Sequence, residues 1–142
     1  MIAITKFNAN AKLVRNYRID VDDGRSHAVC LDIEQESGGS DMGPSALELA
    51  LMSLVGCYST ILMLTANKMR AVVRDIEVKA EATKTQEAGT ITEARLEITL
   101  KIEMSEDRVR RLHELTVKGC PVGILFEKAG VKITYNLKQE KP

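Results

Sequence analysis

The 142-residue chain has no tryptophan, only 4% aromatic residues and no net charge, its twenty basic residues matching twenty acidic ones. Nucleic-acid binders carry basic stripes interleaved with aromatics; none is present, and a balanced chain has no global field to draw in nucleic acid or an anionic membrane. No Cys-x-x-Cys and no mixed histidine–cysteine cluster occurs, so no zinc site is expected. The three cysteines, at 30, 57 and 120, form no disulfide framework of the kind that braces small secreted proteins. The opening residues, MIAITKFNANAKL, lack the charged start, apolar stretch and small-residue cleavage site of a secretory signal, which points to the cytoplasm. Internal repeats and low-complexity segments are missing too. What is there is an ordinary soluble composition, 44% hydrophobic and 28% charged, at a length that suits one domain, 1–142, with a real core.

Hydrophobic periodicity then places the elements. Residues 13–21 alternate, with Leu13, Arg15, Tyr17, Ile19 and Val21 on one side, so a half-buried strand is expected with one arginine on its apolar face. Asp23-Gly24 signals a hairpin turn, and a return strand follows to Glu34. After the Gly/Ser-rich loop 37–45, Ser45 and Glu48 have the spacing of a capping box. The stretch Leu49 to Asn67 contains nineteen residues without a charge, long enough to span a bilayer. Ser53, Gly56, Tyr58, Ser59, Thr60 and Thr65 dilute it, and amphipathic strands flank it, so we read it as a central buried helix. Strands are expected at 76–82 and 96–102, and a helix capped by Ser105 with Val109, Leu112 and Thr116 inward. A short helix should start at Pro121, and a last strand cover 131–137. The order ββ-α-ββ-αα-β describes an α+β domain with antiparallel sheet. A helix apolar all round needs cover that one small chain does not supply, so a homodimer is expected.

Chemistry is carried by few residues. Cys120 stands at the N-cap position of the helix begun by Pro121, where unpaired amides and the helix dipole should lower a thiol's pKa. The plain alternative is a small apolar residue before a proline turn. Cys57 lies in the middle of the apolar helix, where a lone thiol would be inert and its pKa raised unless an arginine or a second sulfur activates it. Arg15 is a candidate for that partner; equally, it could bind a carboxylate at a subunit interface. Cys30, on the polar side of its strand, is expected to stay unreactive.

Gly43-Pro44-Ser45-Ala46-Leu47-Glu48-Leu49, followed by Gly56-Cys57 on a long apolar helix, resembles the first signature of the OsmC/Ohr thiol peroxidases. Cys120-Pro121-Val122-Gly123, sixty-three residues past Cys57, resembles the second. With the element order, the likeness covers nearly the whole chain. It implies an intertwined homodimer in which antiparallel sheets wrap long central helices. It also implies that Cys57 attacks a hydroperoxide and becomes a sulfenic acid, which Cys120 resolves as a disulfide. An external dithiol, lipoyl-type in the best-understood branch, would restore the thiols with no bound cofactor. An arginine from the N-terminal strand region, matched by Arg15 with Arg18 as fallback, would hold the thiolate, and a helix glutamate would orient it. Peroxidase branches read Asn-Pro-Glu where this chain has Ser45-Ala46-Leu47, so Glu48 falls nine residues before Cys57 instead of ten. At roughly 100° per residue, nine steps put Glu48 opposite Cys57. Glu48 is then the candidate catalytic acid that orients the arginine if the helix start departs from ideal geometry or if it reaches the other subunit; otherwise it only caps the helix. Gly123 stands where serine is frequent. Two other readings remain open: a non-catalytic protein holding a thiol- or acyl-bearing ligand in an interfacial apolar pocket, and an interaction protein whose cysteines fill the core.

Overall fold

The computed structural model describes residues 2–142, in an α+β arrangement with two three-stranded sheets and three α-helices. The chain divides into two compact units, Met1–Ala50 and Leu51–Pro142.

In the first unit the alternating run at 13–21 proves to be two strands, a correction to the single strand expected. β1 (Asn10–Arg15) and β2 (Arg18–Asp22) form a hairpin whose two-residue loop is Asn16-Tyr17. Asn16 adopts φ 54°, a left-handed conformation that asparagine tolerates, and its side chain donates to Gly38 O at 3.0 Å. The turn pairs Arg15 with Arg18, and a register shift between Leu13 and Arg15 then sets Leu13 opposite Ile19, so odd-numbered residues again face one another and the period-two pattern survives the turn. Arg15 is therefore no cation on an apolar face: it is the exposed closing residue of the hairpin, opposite Arg18. β3 (Ala28–Leu31) returns after a turn at Asp23-Gly24, with Gly24 at φ 77°.

The segment after β3 is held by one carboxylate. Asp32, almost fully buried, accepts from the amides of Ile33 at 2.8 Å, Met42 at 3.1 Å and Ser40 at 3.3 Å. The Met42 and Ile33 amides hold its carboxyl below the usual range. Pro44 O accepts from Asp32 N, and Gly43 runs so close to β3 that an added Cβ would lie 1.8 Å from Cys30 O. Only glycine fits there. This packing delivers Ser45 to the start of α1 (Ala46–Lys68), where Ser45 Oγ accepts from Glu48 N at 3.2 Å and Glu48 Oε1 accepts from Ser45 N at 3.0 Å. The expected capping box is present.

In the second unit β4 (Val73–Lys84) and β5 (Ile91–Ile102) form a long antiparallel hairpin. α2 (Glu106–Gly119) and α3 (Pro121–Lys128) follow, then β6 (Lys132–Glu140) on the other side of β5. Here a second correction enters: β6 runs parallel to β5. The two intervening helices give the crossover that a parallel pair requires and a tight turn cannot. The core takes alternate β5 residues Leu96, Ile98, Leu100 and Ile102, with Val109, Leu112 and Thr116 of α2 on the inner side as expected. α1 adds Leu54, Tyr58, Leu62 and Ala66, spaced four apart as one helical stripe. Full burial of a leucine contributes about 1.5–3 kcal/mol each. The remaining faces of α1 are not covered within one chain: Met52, Met63 and Leu64 stay about half exposed.

Candidate functional site

Cys57 and Cys120 come together. Cys57 sits beside the buried stripe of α1, half-buried, whereas Cys120 is 1% exposed at the junction of α2 and α3. The two thiols are close enough for Cys57 to push the Cys120 thiol up, and neither is in a disulfide. Cys120 caps α3 as its sequence position suggests, with φ −84° and ψ 105°, and its sulfur accepts from Gly123 N at 3.4 Å. Pro121 fills the first helical position, where a missing N–H loses nothing.

The cap does not lower the Cys120 pKa, as the sequence reading expected. Burial and the neighbouring Cys57 push this thiol up to about 11, outweighing the amides of Gly123 and Val122, which pull the other way. Desolvation of an anion in a nearly closed site exceeds what two amides and a short helix return. Cys120 is thus a neutral thiol at physiological pH, adjoining a more accessible one.

Three rings that sequence reasoning did not connect form a cluster whose two tyrosines lie near Cys120. Tyr58 is fully buried, and its hydroxyl lies 2.7 Å from His113 Nδ1. Tyr135 of β6 stacks on Tyr58 and meets His113 edge-on. Both phenols are pushed up by burial and by the charge of Cys120, Tyr135 to about 12. No local motif announces the cluster, since its members lie on α1, α2 and β6.

The other expected site residues belong to the first unit. Arg15, Asn16, Arg18 and Ser40 line a polar cavity at the tip of the β1–β2 hairpin. Among the described residues neither guanidinium is ion-paired with a carboxylate, although Arg18 is near enough to Asp32 to help hold its carboxyl down. The Glu48 carboxylate is engaged at the helix start by Ser45. Cys30 is half-buried, and burial and Asp20 push its thiol up.

A family model described as OsmC-like protein matches residues 38–136, about two thirds of the chain, taking in both cysteine signatures. The chain belongs to this OsmC-like family. Solved structures agree on the fold. An OsmC-like protein from Mycoplasma pneumoniae superposes with TM-score 0.84 at 16% identity, over 95% of this chain and 97% of that one. An organic hydroperoxide resistance protein from Elizabethkingia anophelis gives TM-score 0.76 at 14% identity, over 99% and 100%. One from Legionella pneumophila gives 0.72 at 16%, over 96% and 99%. None of the curated proteins compared matches the sequence. In an OsmC-like fold α1 is the core helix of a soluble protein, even though its length and mean hydropathy would allow a membrane span.

Proposed function

We propose that this OsmC-like protein is a thiol-dependent peroxidase for organic hydroperoxides. The observation that carries the reading is the contact between an accessible cysteine and a buried, protonated one. The Cys57 thiolate attacks the peroxide, taking one oxygen and, with a proton, releasing the alcohol; Cys57 is then a sulfenic acid. The Cys120 sulfur attacks the Cys57 sulfur, the S–O bond breaks, and hydroxide leaves as water with the Cys120 proton. An external dithiol of lipoyl type reduces the disulfide and is itself oxidised; no bound cofactor takes part. The half-buried position of Cys57 makes it the first to meet peroxide, and Cys120 is placed to trap the product before further oxidation.

Several companion assignments belong to this reading. The uncovered Met52, Met63 and Leu64 on α1 favour a homodimer, with well over about 1,000 Å² lost by each subunit. Arg15, or Arg18 beside it, supplies the cation that holds the Cys57 thiolate. Glu48 serves as the capping residue of α1 and not as a catalytic acid, given its bond to Ser45. The protein works in the cytoplasm.

The test is intact-mass analysis after one equivalent of cumene hydroperoxide. The wild type should lose two hydrogens, the Cys120→Ser variant should gain one oxygen, and the Cys57→Ser variant should stay unchanged. A wild type that does not oxidise would remove the peroxidase, and a small molecule co-purifying with it would favour the binding protein instead. A monomer at micromolar concentration in sedimentation would exclude the dimer.

A further inference from the structure

Two arginines of the first unit border one cavity without a counter-charge. The Asn16-Tyr17 turn closes β1 on β2 so that Arg15 and Arg18 are direct cross-strand partners. Like charges set opposite on neighbouring strands repel, so the hairpin would be steadier with either one neutralised. Both side chains line a cavity of about 380 Å³ together with Asn16 and Ser40. Among the described residues neither guanidinium is ion-paired with a carboxylate. Asp32 is the carboxylate that feels Arg18, and its oxygens are taken by the amides of Ile33, Ser40 and Met42.

The loop that completes the cavity is held in place by its own backbone. Ser40 N donates to Asp32 Oδ2 at 3.3 Å, Gly39 N to Glu34 O at 3.0 Å and Asp41 N to Ile33 O at 3.0 Å. Gly39 runs so close to Ile33 that an added Cβ would lie 2.1 Å from its carbonyl oxygen. The Asn16 side chain donates to Gly38 O at 3.0 Å and so ties the hairpin tip to this loop. A site ordered in advance binds at a lower entropic cost. With the Asn16 amide engaged, and the Ser40 hydroxyl unbonded among the described residues, the cavity offers two guanidiniums and one hydroxyl. A guanidinium presents paired N–H groups at the spacing of two oxygens on one atom, which fits a carboxylate or a phosphate.

We propose that the tip of the β1–β2 hairpin is a binding site for a small oxyanion, a phosphate group or a carboxylate, held by Arg15 and Arg18 and oriented by Ser40. The site lies within the first unit and stands whether or not one of these arginines also serves Cys57.

The test follows the arginine Nε–Hε resonances of the nitrogen-15-labelled protein at pH 7. Sodium phosphate and, separately, sodium butyrate are titrated in, with chloride holding the ionic strength at about 0.15 M. Arg15 and Arg18 should shift together along one saturating curve, with a dissociation constant of about 1 mM or tighter. Saturation by phosphate alone assigns the phosphate group, and saturation by butyrate alone assigns a carboxylate; either supports the site. Arg15→Gln and Arg18→Gln should each weaken binding about tenfold, the loss of one charge-assisted hydrogen bond. Arg15→Lys keeps the charge without the fork and should weaken it too. Shifts that stay linear to about 50 mM with both salts, or that saturate at only one arginine, would overturn the proposal. So would a Ser40 amide shift that persists when both arginines are replaced by glutamine. The wild-type titration decides the matter if a variant does not fold. No step uses peroxide, so a protein inert to peroxide leaves this readout intact.

Discussion

Raising the pH of the reduced protein should destabilise it through Cys120. In an unfolded chain a cysteine thiol ionises near pH ~8.5, whereas in the folded protein this one is pushed up to about 11. Below about pH 8 both states keep the proton and the contribution is constant. Above it the unfolded chain ionises first, unfolding releases a proton, and stability falls until the folded thiol titrates too. Between pH 8 and 10 the full difference amounts to about 2 kcal/mol, and solvent screening around a thin shell reduces it to about 1 kcal/mol. The assay is urea unfolding under reductant at pH 7, 8, 9 and 10, comparing wild type with Cys120→Ala. The alanine lowers stability at every pH by lost packing, so the informative quantity is how the gap changes. Cys30, also pushed up by burial, titrates in both proteins and cancels. The wild-type advantage should shrink by about 1 kcal/mol from pH 8 to 10. A constant gap, or one that widens, would refute the argument that burial outweighs the helix cap at Cys120.

Three further outcomes are expected. Gly56→Ala should raise stability by about 0.5–1 kcal/mol in urea melts, since an added Cβ meets nothing within 4 Å; a lower midpoint with loss of dimer in sedimentation would put a neighbouring subunit against that face. Ser45→Ala should cost roughly 0.5–2 kcal/mol by removing the cap, while Glu48→Gln leaves the rate of Cys57 oxidation unchanged. If Glu48→Gln abolishes oxidation in stopped-flow measurements, Glu48 is a catalytic acid and the capping assignment is incomplete. Arg15→Ala should slow Cys57 oxidation far more than it shifts the melting midpoint; equal rates would pass that role to Arg18, the next variant to measure.

How much was legible beforehand depends on the range of the interaction involved. The capping box of Ser45 and Glu48, the proline-started α3, the inward face of α2 and the glycine-marked turns are local events, decided within one or two helical turns, and each could be read from spacing. The pairing of Cys57 with Cys120 was legible only through a family resemblance, because nothing local relates residues sixty-three positions apart.

The sequence by itself determined the α+β class, the long apolar helix and the two cysteine motifs, since periodicity and capping chemistry act along the chain. Only the tertiary structure decided the rest. Alternation could not reveal the Asn16-Tyr17 turn, because the register shift between Leu13 and Arg15 restores the odd-numbered pattern that the two-residue turn would otherwise break, and with that turn Arg15 moved from an apolar face to a hairpin tip. The parallel setting of β6 against β5 was decided by the helical crossover between them. The sign of the Cys120 shift was decided by burial, a property of surrounding elements that no local cap signal contains. The same holds for Tyr58, His113 and Tyr135, which are ordinary residues on three separate elements until packing makes them one cluster.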